Sequence, residues 1–217
     1  MVTTQHNRPP TRPTETVRNR YNRVARFYDL EQMVEEPIIF GRLRKALWAQ
    51  VPVTGRILEI GVGTGVNMRH YPPGARMTAI DISDRMIAKA RARAERKHVA
   101  VDLTLMDAQH LDFADDSFDA VVATCVFCSV PDPVAGLREI LRVLKPGGQL
   151  LLLEHVRSGN VVVGKLMDLL NPIAVRMSGA NINRRTVENV RITGFSDLDL
   201  TSHMLGLVKS IRARKPA

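Results

Sequence analysis

Short apolar runs recur along the chain at Ile57-Leu58-x-Ile60, Met77 to Ile80, Phe118 to Ala123 and Leu150 to Leu153. They are too brief for helices and too continuous for strands with one wet face, so they predict parallel strands covered on both sides. A more polar strand is expected from about Val101 to Leu105. Helical segments separate them: a short one after Gly65 that stops at Pro72-Pro73-Gly74, one after Asp84, and one from about Val134 to Leu144 closed by Lys145-Pro146-Gly147-Gly148. The last of these breakers reads as a helix stop followed by a tight turn. This alternation predicts an α/β fold with a doubly wound, mostly parallel sheet. Runs at Phe195 to Leu200 and Leu207 to Ala213 complete a seven-stranded sheet as an antiparallel C-terminal hairpin, and no internal repeat is visible.

Two further stretches stand outside this alternation. Val17, Tyr21, Val24 and Tyr28 fall at helical spacing, with Arg18, Arg20, Arg23 and Arg26 on other faces, which predicts a short basic amphipathic helix. Its stripe packs on the domain, or it serves as an active-site lid or a membrane-surface contact; the spacing alone fits each. A second helix is expected over 37–50. Residues 161–177 form an apolar insertion, with Leu166, Met167, Leu169, Leu170, Ile173 and Met177, and read as a lid. The first 16 residues, rich in Thr, Pro and Arg, read as a disordered tail, leaving 17–217 as one domain.

The chemistry concentrates where the first strand ends. Gly61, Gly63 and Gly65 follow it in the spacing G-x-G-x-G. A triphosphate loop needs a terminal Gly-Lys-Ser/Thr and a dinucleotide fingerprint needs G-x-G-x-x-G, and neither is present. Glu59 sets a carboxylate two residues before the first glycine, where it repels a pyrophosphate but suits a cation. S-adenosylmethionine, with an ammonium and a sulfonium, is such a ligand. Asp81 ends the second strand, about 20 residues beyond the first glycine, where an acid accepts from ribose hydroxyls. Met106-Asp107-Ala108 and Thr124-Cys125-Val126 end the third and fourth strands. In an open α/β sheet these strand ends converge on one crevice.

Composition narrows the partners. Hydrophobic content of 45% and charged content of 24% are those of a soluble globular chain, and no stretch reaches the roughly 18 apolar residues of a membrane span. With no hydrophobic signal core at its start, the chain reads as cytoplasmic. Its 31 Lys plus Arg against 22 Asp plus Glu give a net charge of +9, which favours anionic partners. Peripheral contact with an anionic membrane on its inner face is one expectation. Nucleic acid lacks support, because no basic module is interleaved with aromatics. Cys125 and Cys128 form C-x-x-C within an apolar run, with no matched ligands for zinc and no helix start for a redox thiolate. No metal is predicted.

The sequence E-x-G-x-G-x-G at 59–65 resembles that of the class I S-adenosylmethionine-dependent methyltransferases, and the likeness runs from about residue 20 to the end. It implies the Rossmann-like methyltransferase fold, with S-adenosylmethionine as cofactor and S-adenosylhomocysteine as product. It also implies that Gly61, Gly63 and Gly65 lie by the methionine part, that Glu59 supports its ammonium directly or through water, and that Asp81 holds the ribose. Asp107 would accept from the adenine amino group, beside Ala108 and Thr124, with Ile82, Met86 and Met106 flanking the ring. Tyr28-Asp29, V-x-C-S-V at 126–130, L-x-E-H-V at 152–156 and G-A-N-I-N-R at 179–184 resemble one branch of the family. That branch holds ubiquinone and menaquinone C-methyltransferases, soluble bacterial phosphatidylethanolamine N-methyltransferases and membrane-associated thiol enzymes. The expected acceptor is therefore lipid-like, first the ethanolamine amine of a phospholipid, with a quinone, thiol or other small apolar molecule as the alternative. His155, at the fifth strand's end, is the candidate base for the amine proton. Tyr28 is the candidate to cover the sulfonium or shape the acceptor pocket.

Overall fold

The computed structural model describes residues 12–35 and 40–217, with side chains given for all of these except 26–35 and 178. Helix α1 (Arg12–Glu35) and helix α2 (Gly41–Trp48) precede the sheet. The sheet then alternates with helices: β1 (Thr54–Ile60), β2 (Gly74–Asp81), α3 (Asp84–Lys97), β3 (Asp102–Leu105), β4 (Phe118–Thr124), α4 (Pro133–Val143) and β5 (Leu144–His155). After it come α5 (Val161–Ser178), α6 (Thr186–Thr193), β6 (Ser196–His203) and β7 (Val208–Arg214). The seven strands are ordered β3-β2-β1-β4-β5-β7-β6, with β7 antiparallel to both β5 and β6. This is the doubly wound sheet with a C-terminal hairpin that the apolar runs predict.

Burial on both faces explains why the central strands are so apolar. Along β1, Leu58 and Ile60 point into the layer that holds Leu137 and Ile140 of α4, whereas Ile57 points into the layer that holds Leu47 and Trp48 of α2. Strand periodicity therefore places Glu59 on the α2 side with Ile57. Removing a buried branched side chain here, as in Leu58→Ala, costs about 2–5 kcal/mol.

Some boundaries differ from expectation. The disordered tail was expected through residue 16, but α1 begins at Arg12 and Thr14 is buried. Pro13 stands in the first turn, where its missing N–H is not needed, and Glu15 complements the helix N-terminus. The expectation of disorder for 1–11 falls outside the described residues, as do 37–39 of the second helix. Lys145-Pro146-Gly147-Gly148, expected as a turn, lies within β5 as an irregular detour: Phe118 pairs with Leu144, and Ala120 with Gln149.

Candidate active site

Strand order reverses between β1 and β4, which both run parallel and stand side by side. Such a reversal opens a crevice at the carboxyl ends of the strands. An open cleft lies there. Of the expected residues, Gly61, Gly63, Asp81, Ile82, Met86, Met106, Asp107, Ala108 and Thr124 line it. Gly61 has φ of 68°, and a Cβ there would stand 2.4 Å from a Val126 methyl, so a side chain would both strain the turn and collide with the wall.

The charged groups that line the cleft among the described residues, Asp81 and Asp107, are both acidic and held in place. Asp81 accepts from Gly63 N (2.9 Å) and Ser83 N (2.9 Å). Burial raises its carboxyl above the ordinary value, against those backbone bonds, which favour the carboxylate. Asp107 accepts from Gln109 N (2.9 Å) and from Gln109 Nε2 (3.0 Å to each oxygen), while Gln109 Oε1 accepts from Asp132 N (2.9 Å). Ile82, Met86 and Met106 supply apolar wall beside these acids, and among the described residues no lysine or arginine lines the cleft. Fixed acidic acceptors between apolar walls suit a cationic ligand with hydroxyl and amino donors, and disfavour a phosphate.

Glu59, Gly65 and His155 are not among the lining residues. Glu59 is fully buried behind the glycine turn: Asn67 Nδ2 donates to one oxygen (2.6 Å) and the Tyr71 hydroxyl donates to the other. Arg44 Nη1 completes this cluster by donating to Asn67 Oδ1 (3.0 Å) and to Thr124 Oγ1 (2.5 Å). Burial raises the Glu59 carboxyl, opposed by Tyr71, Asn67 and the Arg44 charge. The carboxylate thus fixes the wall carrying Thr124, with both oxygens engaged. His155 is half-buried; burial lowers its pKa, while a bond to the Ile182 backbone opposes that. Tyr28 falls in the part of α1 whose side chains lie outside the description.

Other residues at the cleft carry weaker signals. Helix α1 lies across the cleft, which Thr14, Val17 and Tyr21 line. Thr14 Oγ1 donates to Asp107 (3.3 Å), Tyr21 and Ser129 share a hydrogen bond (2.7 Å), and Asn22 Nδ2 donates to Asp84 (2.6 Å). The amphipathic spacing of Val17 and Tyr21 was the signal for this face; the loop partners were not legible. Glu154, within the L-x-E-H segment, accepts from Val126 N (2.9 Å) and Phe127 N (3.1 Å) and so shapes the loop after β4. Burial pushes its carboxyl up to about 7. Burial likewise pushes the Cys128 thiol up to about 12, which leaves it protonated and a poor nucleophile.

A seven-stranded sheet with this order, a glycine turn at the reversal and acids ending β2 and β3 define the class as the Rossmann-like methyltransferases. The comparisons agree. Residues 58–152 match the family model described as a methyltransferase domain. The phosphatidylethanolamine N-methyltransferase of Cereibacter sphaeroides is 40% identical over 103 residues, covering 46% of this chain and 51% of that protein. The ubiquinone/menaquinone biosynthesis C-methyltransferase UbiE of Ectopseudomonas mendocina is 31% identical over 203 residues, covering 85% of this chain and 77% of that protein. Phosphoethanolamine N-methyltransferase 2 of Haemonchus contortus, in complex with phosphomonomethylethanolamine and S-adenosylhomocysteine, shares the fold, with a TM-score of 0.73 at 18% identity over 93% of this chain and 61% of that one. The chain belongs to the S-adenosylmethionine-dependent methyltransferases. Its match spans about half the length of the phosphatidylethanolamine enzyme.

Proposed function

We propose that this chain moves a methyl group from S-adenosylmethionine to a lipid-like acceptor, first of all the ethanolamine amine of a phospholipid. The observation that carries the methyl-transfer reading is the pair of anchored acids, Asp81 and Asp107, facing apolar wall in a cleft that no lysine or arginine lines among the described residues. The amine acceptor is supported by the 40% identity with a phosphatidylethanolamine N-methyltransferase. When bound, the cofactor supplies a sulfonium-borne methyl: the amine lone pair forms the N–C bond, the C–S bond breaks with its electron pair going to sulfur, and S-adenosylhomocysteine leaves.

In this reading Asp81 accepts from the ribose hydroxyls and Asp107 from the adenine amino group, with Ile82, Met86 and Met106 flanking the ring. Gly61 and Gly63 let the main chain approach the methionine part, Gly65 completes the turn behind them, and Glu59 acts there by holding Asn67 and, through it, Thr124. Helix α1 excludes water over the cleft, which keeps the reacting atoms aligned and dry. An ethanolamine ammonium must lose a proton before attack, and leaving water disfavours its charged form. We assign proton loss to that desolvation. His155 becomes a positioning residue that steadies the 179–184 segment through Ile182, and Tyr28 stays the candidate to cover the sulfonium or shape the acceptor pocket.

The test is transfer of radiolabelled methyl from S-adenosylmethionine into lipid, small-molecule and RNA fractions, followed by identification of the labelled head group. Label on phosphatidylethanolamine is expected. Label confined to a quinone or thiol would replace this acceptor with the alternative, and label in RNA alone would overturn the reading. In His155→Ala the rate falls, but the shape of its pH profile is expected to stay the same; loss of a limb near the histidine pKa would restore His155 as the base.

A further inference from the structure

We infer that α5 and the basic groove at its amino-terminal end form a docking surface for an anionic phospholipid membrane, an inference that rests on the lipid-acceptor reading above. An ordinary surface helix buries its apolar stripe and turns polar residues outward. Helix α5 does the reverse along one side. Val162, Leu166, Leu169, Ile173 and Met177 recur at helical spacing and are 75%, 53%, 73%, 58% and 81% exposed. The opposite side, with Gly164 and Met167, is the buried one. A continuous exposed stripe of large apolar side chains marks an interaction surface rather than scattered surface hydrophobics. Lys165 and Arg176, both exposed, border it at helical spacing, and long cationic side chains beside apolar surface can bury their stems there while keeping the charge in water.

The groove begins where the stripe begins. It is separate from the cleft and is lined by Arg157, Arg184, Arg185, Arg191 and Lys209, with Glu188 as the acid in its lining. Arg157 ties it to α5: its guanidinium donates to Asp168 (2.8 Å), and a Cβ on Gly164 would stand 2.5 Å from Arg157 Nη1, so glycine lets the arginine lie against the helix. Apolar surface beside concentrated cationic charge is the complement of a bilayer whose acyl layer lies under anionic head groups. A second copy of the chain fits poorly. Pairing two such faces would bring like charges together on chains that each carry +9. The surface also stands beside the site, because Asn181 Nδ2 donates to Cys128 O (3.0 Å) and Asn171 Nδ2 donates to Asn181 (3.2 Å), linking α5 to the loop after β4.

The experiment is vesicle flotation of the full chain with phosphatidylcholine alone and with phosphatidylcholine mixed with phosphatidylglycerol. Neither lipid carries a primary amine, so docking is read without methyl transfer. Flotation with the anionic vesicles is expected, weakened about tenfold or more in Leu169→Ser/Ile173→Ser and in Arg185→Glu/Arg191→Glu. Both pairs are exposed, and thermal melting of each confirms folding. No flotation of the parent chain, or equal flotation of parent and both variants, overturns the inference. So does a parent dimer that Leu169→Ser/Ile173→Ser turns into monomer, since a second copy would then cover the stripe. Docking without methyl transfer to phosphatidylethanolamine supports this surface while overturning the acceptor; transfer to detergent-dispersed lipid without docking does the opposite.

Discussion

At the scale of single residues, the site depends on carboxylates whose surroundings set their charge. Asp81 gives each oxygen to a backbone N–H and still faces the cleft. A hydrogen bond to a charged acceptor contributes about 1.5–3 kcal/mol. Asp81→Ala is therefore expected to weaken S-adenosylhomocysteine binding by about 10- to 100-fold in calorimetry, and Asp81→Asn, which keeps an acceptor for Gly63 or Ser83, by less. Glu154 makes a prediction of opposite kind, about stability. Burial holds its folded pKa at about 7, above the ordinary carboxyl value of 4.5. Between these values the folded chain binds a proton that the unfolded chain has released, so this group's contribution falls as pH rises through the window and is fully present below it. The difference is about 3 kcal/mol. Relative to Glu154→Gln, the parent protein is expected to lose about 5–10 °C in Tm on going from about pH 5 to about pH 8. Equal pH dependence of the two would show the carboxyl ionised throughout.

At the scale of elements, legibility in the sequence followed burial. Strands β1, β2, β4 and β5 were legible because burial on both faces leaves mostly apolar residues at their centres. The acids ending β2 and β3 were legible because a strand end in this fold has a known place. Glu59 was read toward the ligand from its motif, yet it shares the parity of Ile57 and turns to α2; that signal was present in the strand period. The start of α1 was not legible. Thr14 is buried by contacts with Asp107 and Gln109, which lie 93 and 95 residues away, and composition carries no trace of such partners. Those contacts make α1 a cover whose order depends on the cleft. Addition of S-adenosylhomocysteine is expected to slow hydrogen exchange over residues 12–25 more than in β4, which is already buried at the sheet centre. Tyr21→Phe, which loses the bond to Ser129, should reduce that slowing; unchanged exchange in α1 would mean the helix merely packs on the domain.

At the scale of the whole molecule, two kinds of electrostatics are separated in space. The cleft acids lie in buried surroundings and act over hydrogen-bond distances, whereas the net charge of +9 is carried largely by side chains at the surface. Salt distinguishes them, because the Debye length shrinks from about 14 Å at 0.05 M to about 4 Å at 0.5 M and screens exposed charges far more than buried ones. Affinity for anionic vesicles is therefore expected to fall at least about tenfold over that range. Affinity for S-adenosylhomocysteine, a zwitterion held by local acceptors, should change less than about twofold. Calorimetry and flotation on the same preparation measure both. If the two affinities fell together, the surface charge would be part of the nucleotide site; if neither fell, attraction to the membrane would rest on the apolar stripe of α5 alone.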